Sequence, residues 1–147
     1  MSHFSMTTAF RKTSFNKRAL CGVAILLLTP QAMTARASEA SRVAIGAQLY
    51  AQKCSLCHDN SQHMINDIGP ALFGVVGRRV GSVEGFIYSP ALRDADMRGD
   101  IWTTKSLDKF LTNPSHVRPG TGMPFIISDP KTRAGVVAYL KTLHSKP

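Results

Sequence analysis

The chain has 147 residues and a formal net charge of +9, from 18 basic and nine acidic side chains, and 44% of it is hydrophobic. That hydrophobic share excludes a chain disordered by composition, and the length allows one domain behind a removable leader. Basic residues are scattered rather than striped, so no nucleic-acid partner is expected.

Residues 1–37 have the three parts of a cleavable signal peptide. Arg11, Lys12, Lys17 and Arg18 precede an apolar run from Ala19 to Thr29, and Ala35-Arg36-Ala37 supplies an A-x-A site. The run falls short of the roughly 20 apolar residues of a spanning helix, so no permanent membrane anchor is expected. Its unbroken Val23-to-Leu28 block also differs from the alternating pattern of a mitochondrial transit peptide. The expectation is export to a periplasm, with residues 38–147 as the mature domain starting at Ser38. Cleavage removes five of the 18 basic residues and leaves 13 against nine acidic ones, a mild +4. Cys21 departs with the leader.

Ser41 to Lys53 has helical spacing, with Val43, Ala47 and Tyr50 on one stripe and Ile45 and Leu49 beside it. Gly46 interrupts this helix at a cost of roughly 1 kcal/mol against alanine. A close crossing by another helix accounts for it, and so does simple tolerance.

Cys54-Ser55-Leu56-Cys57-His58 follows. C-x-x-C-H is the attachment signature of a c-type haem: two thiols add across the vinyl groups, and the adjacent histidine lies under the ring as an iron ligand. Zinc would need two further ligands, and no second cysteine pair exists, nor do His63, His116 and His144 form an H-x₃₋₅-H pair. A thioredoxin-like pair would accompany a βαβ pattern, which is lacking. A Cys54–Cys57 disulfide is chemically possible after export but leaves His58 without a role.

Asp59 to Gly85 lacks any period and carries Gly69-Pro70 and four further glycines, so it reads as a loop long enough to wrap something. Ser89-Pro90 predicts a capped short helix to about Asp96. Thr104 to Asn113 predicts another, with Leu107, Phe110 and Leu111 inward and Pro114 as its stop. Pro119-Gly120-Thr121-Gly122 then delivers Met123-Pro124-Phe125. Asp129-Pro130 starts a last helix with Val136, Val137, Leu140 and Leu143 inward and Tyr139 adjoining. The predicted class is all-α with long loops.

A haem iron held by His58 has one further axial place. Met64, Met97, Met123, His63 and His116 are available to fill it. Methionine is ordinarily core filler, which suffices for Met97. The glycines and prolines around Met123 favour it, because such a loop presses a sulfur against a ring, and His116 is the competitor. Thioether ligation favours Fe(II) and raises the potential.

These features together resemble the class I cytochromes c, in particular mitochondrial cytochrome c and bacterial cytochrome c2. The likeness rests on Gly46, Tyr50 and Lys53 leading into C-x-x-C-H, then on Gly69-Pro70 with Leu72, Gly77-Arg78 and Gly85-Phe86-Ile87-Tyr88. It continues through Trp102, Asn113-Pro114, Pro119 to Met123 and Ala138-Tyr139-Leu140. The resemblance implies thioether bonds at Cys54 and Cys57, axial ligation by His58 and Met123, and a Pro70 carbonyl on the His58 Nδ1–H. Arg78, Tyr88, Trp102 and Thr121 match positions that hold a buried propionate, and Gly46 and Tyr50 match the crossing of the first and last helices.

Three departures stand out. Leu92 and Phe110 replace the asparagine and tyrosine that surround an internal water in eukaryotic members. The Arg93-to-Ile101 segment is longer than in the mitochondrial form. Ser115 and Gly122 stand where that form has lysines, leaving Lys53, with Arg118 and Lys105, near the haem edge. The function implied is a one-electron carrier with one covalent haem c, not an enzyme. Membrane or periplasmic reductases, oxidases or dehydrogenases would dock at the haem edge. Two other readings stay open: a cytochrome subunit dedicated to one redox enzyme, and a peroxidase or gas-binding protein with an open iron site.

Overall fold

The computed structural model describes residues 30–144; most of the expected signal peptide, residues 1–29, lies outside them. Five helices occur in order: α1 (Pro30–Lys53), α2 (Pro90–Met97), α3 (Thr104–Thr112), α4 (Pro114–Val117) and α5 (Pro130–Thr142). A single 3₁₀ turn, Cys54–Leu56, continues directly from α1. Among the described residues there is no strand, only one isolated bridge between Arg79 and Ile101. The all-α expectation holds.

α1 starts eleven residues earlier than the apolar stripe predicts. Its residues 34–42 are all exposed, and local contacts such as the 3.0 Å Arg42–Glu39 ion pair support them. The expected cleavage point, Ala37–Ser38, falls inside this bare helical turn, ahead of the first core-facing residues. Packing begins at Val43 and becomes tight at Gly46 and Tyr50.

The crossing of α1 and α5 organises the core. A Cβ on Gly46 would collide with the Gly135 carbonyl and come within 2.8 Å of Tyr139 Cβ. Gly135 answers from the other side, where a Cβ would lie 3.0 Å from the Arg42 carbonyl. Two facing glycines let the backbones approach, and Tyr50 meets Tyr139 at 5.4 Å between ring centroids. Around the crossing, Val75, Leu107, Leu111, Ile127, Val136, Val137 and Leu140 form one buried cluster.

Two of the predicted helix boundaries need correction. Ser89 does not cap α2 with its side chain; its Oγ is buried without a partner. The Ser89 main-chain carbonyl takes the Leu92 and Arg93 N–H groups, each at 3.0 Å, and the helix starts without help from the hydroxyl. Pro114 does not simply stop α3. That helix ends at Thr112, and extended Asn113 caps a new one-turn helix by accepting the His116 N–H at 3.1 Å. Elsewhere the caps act as read: Asp129 accepts the Thr132 N–H at 2.7 Å, and Pro130 opens α5. The sequence reading missed the Thr103–Ser106 capping box of α3.

Bonds from the Thr132 hydroxyl and N–H hold the Asp129 carboxyl below its usual range. A lowered folded pKa means that its support for α5 is complete above the unfolded value of about 3.9 and disappears as pH falls through the folded value. Asparagine caps equally well but does not titrate. Asp129→Asn is therefore expected to flatten the acid-unfolding profile below about pH 4 while leaving neutral stability nearly unchanged, as helicity against pH would record.

Candidate functional site

The site forms where α1 runs into the C-x-x-C-H turn. Cys57 N–H and His58 N–H both bond to the Cys54 carbonyl, at 3.0 and 2.9 Å, so the turn continues the helix and brings both thiols and the imidazole together. Both thiols are free and half-buried. Burial, then the neighbouring Cys57, raises the Cys54 pKa and keeps it a thiol. Tyr50 anchors the turn from α1 by donating its hydroxyl proton to the His58 carbonyl. Burial pushes that phenol above its ordinary range, so it stays a donor. From α5, Tyr139 accepts a 2.6 Å bond from the Asn60 amide. Neither tie was foreseen, because both depend on the helix crossing.

The imidazole has one fixed orientation. Its Nδ1 lies 2.7 Å from the Pro70 carbonyl, which can only accept, so Nδ1 carries the proton and Nε2 keeps a free lone pair. Burial lowers the His58 pKa, partly offset by the Pro70 bond, and favours that neutral tautomer. Gly69 must be glycine, since a Cβ would lie 2.8 Å from Nε2 and nearer still to other ring atoms. Its N–H bonds the Cys57 carbonyl at 2.7 Å and holds the segment against the ring.

The Asp59-to-Gly85 loop is tied at many points. Leu72 N–H reaches the Asp59 carbonyl, Gly77 N–H the Trp102 carbonyl and Val80 N–H the Asp100 carbonyl, at 2.7, 2.8 and 2.8 Å. Gly81 has φ +75° and lies against the Leu92 carbonyl, a backbone position closed to L side chains. Met64 is the one non-glycine residue with positive φ, +52°, among the described residues.

Arg78 has Tyr88 nearby and pairs through its main chain with Trp102. Arg78 and Trp102 are main-chain neighbours, with the Trp102 N–H 2.9 Å from the Arg78 carbonyl. The Arg78 guanidinium donates to the Ala71 and Phe73 carbonyls at 2.7 and 2.8 Å and has no carboxylate partner among the described residues. Burial lowers its pKa, and the nearby Tyr88 phenol partly offsets this. Tyr88 is buried, and its oxygen accepts the Val83 N–H at 3.3 Å, leaving its own proton to give. The Thr121 Oγ1 lies 3.5 Å from the Met123 N–H, a long contact within the methionine loop. Met123 itself is half-buried against the core, and Ile127 N–H pins the loop to the Leu111 carbonyl of α3 at 2.9 Å. Phe110 stacks at 5.0 Å from Trp102, so this position supplies an aromatic contact and no hydroxyl. His116 is exposed on α4.

This donor set fits a covalent haem. Two thiols and one imidazole with a free Nε2 share a turn. Leu72, Val76, Trp102, Met123 and Phe125 are, like Cys54, half-covered and packed against the buried core, and offer apolar surface to a large flat group. Zinc is disfavoured, since no group of three metal-binding His, Cys, Asp or Glu side chains occurs among the described residues.

Fold and site thus define a small all-α protein built to hold a c-type haem, and known proteins agree. The chain is 40% identical over 94 residues to cytochrome c-550 of Ancylobacter novellus, covering 63% of this chain and 88% of that one. It is 39% identical over 102 residues to cytochrome c2 of Rhodomicrobium vannielii, covering 69% and 78%. Among solved structures it matches cytochrome cH from Methylobacterium extorquens with a TM-score of 0.60 and 38% identity, covering 68% of this chain and 97% of that chain. No family model matches the chain. The chain belongs to the class I cytochrome c family and carries one covalently bound haem c with its iron.

Proposed function

We propose that the protein is a periplasmic one-electron carrier whose iron is held between His58 and Met123. The observation that carries this reading is the 2.7 Å bond between His58 Nδ1 and the Pro70 carbonyl, which leaves Nε2 as the only donor nitrogen of the ring. When bound, haem supplies an Fe(III)/Fe(II) couple. Cys54 and Cys57 would tether it, and Pro70 would make the imidazole a stronger donor. Met123 would offer a neutral sulfur on the opposite side. Arg78, Tyr88 and Trp102 would hold a propionate, since a half-buried guanidinium and a phenol proton suit a carboxylate withdrawn from water. Thr121 would add its hydroxyl to the same propionate from the methionine loop.

Export by residues 1–37 has support from the bare start of α1: residues 34–37, just before the cleavage point, are exposed. No helix among the described residues is long and apolar enough to cross a membrane. Isolating the holoprotein from a periplasmic fraction and sequencing its amino terminus tests this, and a start elsewhere than Ser38 would overturn the cleavage site. In the same sample, a weak far-red band in the oxidised spectrum and slow carbon monoxide binding after reduction are expected. Fast binding would favour the peroxidase or gas-binding reading.

A carrier dedicated to one enzyme is the second reading, and the surface beside the attachment turn favours it. Arg118 is not free to dock, because its Nη2 lies 2.8 Å from Asp100 Oδ2. Lys105 lies in a shallow groove with Arg42, Asp108 and Lys141 on the α1–α3–α5 side. Ile68 and Leu56, each next to a residue of the Gly69 N–H to Cys57 carbonyl bond, are instead apolar and 74% and 67% exposed. Docking through such a face depends little on Coulomb attraction. Electron-transfer rates with the physiological partner are expected to change less than about threefold between 20 and 200 mM salt; a steep fall would mean a charged dock.

A further inference from the structure

Asn66 has no part in the reading so far, yet both edges of its half-buried side chain are engaged. Its Oδ1 accepts the Ala71 N–H at 3.2 Å, and its Nδ2 donates to the Glu84 carbonyl at 2.8 Å. The first bond closes the segment 66–71 on itself; the second fastens it to the loop that carries Tyr88. Every residue late in this segment touches the site. Gly69 lies on the His58 ring, the Pro70 carbonyl holds Nδ1, and the Ala71 carbonyl takes Arg78 Nη2 at 2.7 Å. Ala71 is fully buried, so its N–H has no water to turn to if Asn66 is lost.

We propose that Asn66 is the positioning residue of the His58 site: its carboxamide sets the Pro70 carbonyl on the imidazole and couples that bond to the 81–88 loop. The chemistry needs an uncharged group that accepts on one side and donates on the other, at a reach of two side-chain carbons. The asparagine carboxamide satisfies this. An aspartate keeps the acceptor for Ala71 but turns an oxygen toward the Glu84 carbonyl. An alanine loses both bonds.

This proposal rests on His58 being an iron ligand, and its test separates the two claims. In ¹⁵N-labelled holoprotein, the exchange rate of the His58 Nδ1 proton reports its bond to Pro70. The far-red band reports ligation, and the Ile127 amide, bonded to Leu111, reports global opening. Asn66→Ala is expected to speed Nδ1–H exchange about tenfold with the band and the Ile127 rate unchanged. Asn66→Asp should fall between alanine and the native protein. A native Nδ1–H rate in either folded variant overturns the proposal, as does acceleration shared equally by Ile127. Absence of the band from the native protein would count against the ligation and leave the Asn66 comparison readable.

Discussion

Met123→Ala is expected to abolish the far-red band and to lower the reduction potential by on the order of 100 mV or more, within the ~0.8 V range that axial ligands command. A neutral thioether stabilises Fe(II) relative to Fe(III), so water or an imidazole in its place reverses that preference. The loop should survive the change. Pro119 and Gly120 shape it, and the Ile127-to-Leu111 bond ties it to α3, neither through the Met123 side chain. Spectroscopy and redox titration of the variant therefore report ligation, not unfolding. Should the band persist, Met123 is not the ligand, and Met64 or Met97, the other thioethers of the mature chain, becomes the residue to replace next.

Gly46→Ala tests the fold with a sign that local propensity gets wrong. In an isolated helix alanine gains about 1 kcal/mol over glycine. Here the added Cβ meets main-chain atoms of Gly135, which cannot rotate away as a side-chain tip would, and lies 2.8 Å from Tyr139 Cβ. Overpacking at a well-packed contact costs about 1–3 kcal/mol, and separating the helices also loosens the Tyr50–Tyr139 contact. A net loss of roughly 2 kcal/mol is expected in denaturant unfolding of the holoprotein. Stabilisation would show that α1 and α5 are free to part.

Much of the site was readable because its chemistry is local. Thioether attachment needs two thiols and a ligand on one turn, so Cys54, Cys57 and His58 announce it within five residues. Helix starts were readable for a similar reason: Asp129 and Pro130 act on donors only two or three residues away. Ser89 shows the limit of that reasoning. Its place before Pro90 was right for a cap, but only its main-chain carbonyl bonds into the helix, and its hydroxyl has no partner.

The composition of the wrapping loop could be read, but its connections could not. Arg78, Tyr88 and Trp102 lie up to 24 residues apart and were grouped only by resemblance to a family. The fold joins Arg78 and Trp102 through a main-chain pair, and Thr121 lies 3.5 Å from the Met123 N–H. Arg118 looked like a docking charge until Asp100, 18 residues earlier, was found to hold it.

By itself, then, the sequence determined the kind of cofactor, the all-α class and the one histidine able to ligate beside the attachment pair. These follow from residue types and spacings a few positions long, within which covalent geometry leaves little choice. The tertiary structure decided which glycine answers Gly46, which side chain fastens the turn holding Pro70, and which surface cations are free. Each depends on where a distant segment comes to rest, and that place is set by packing of the whole core.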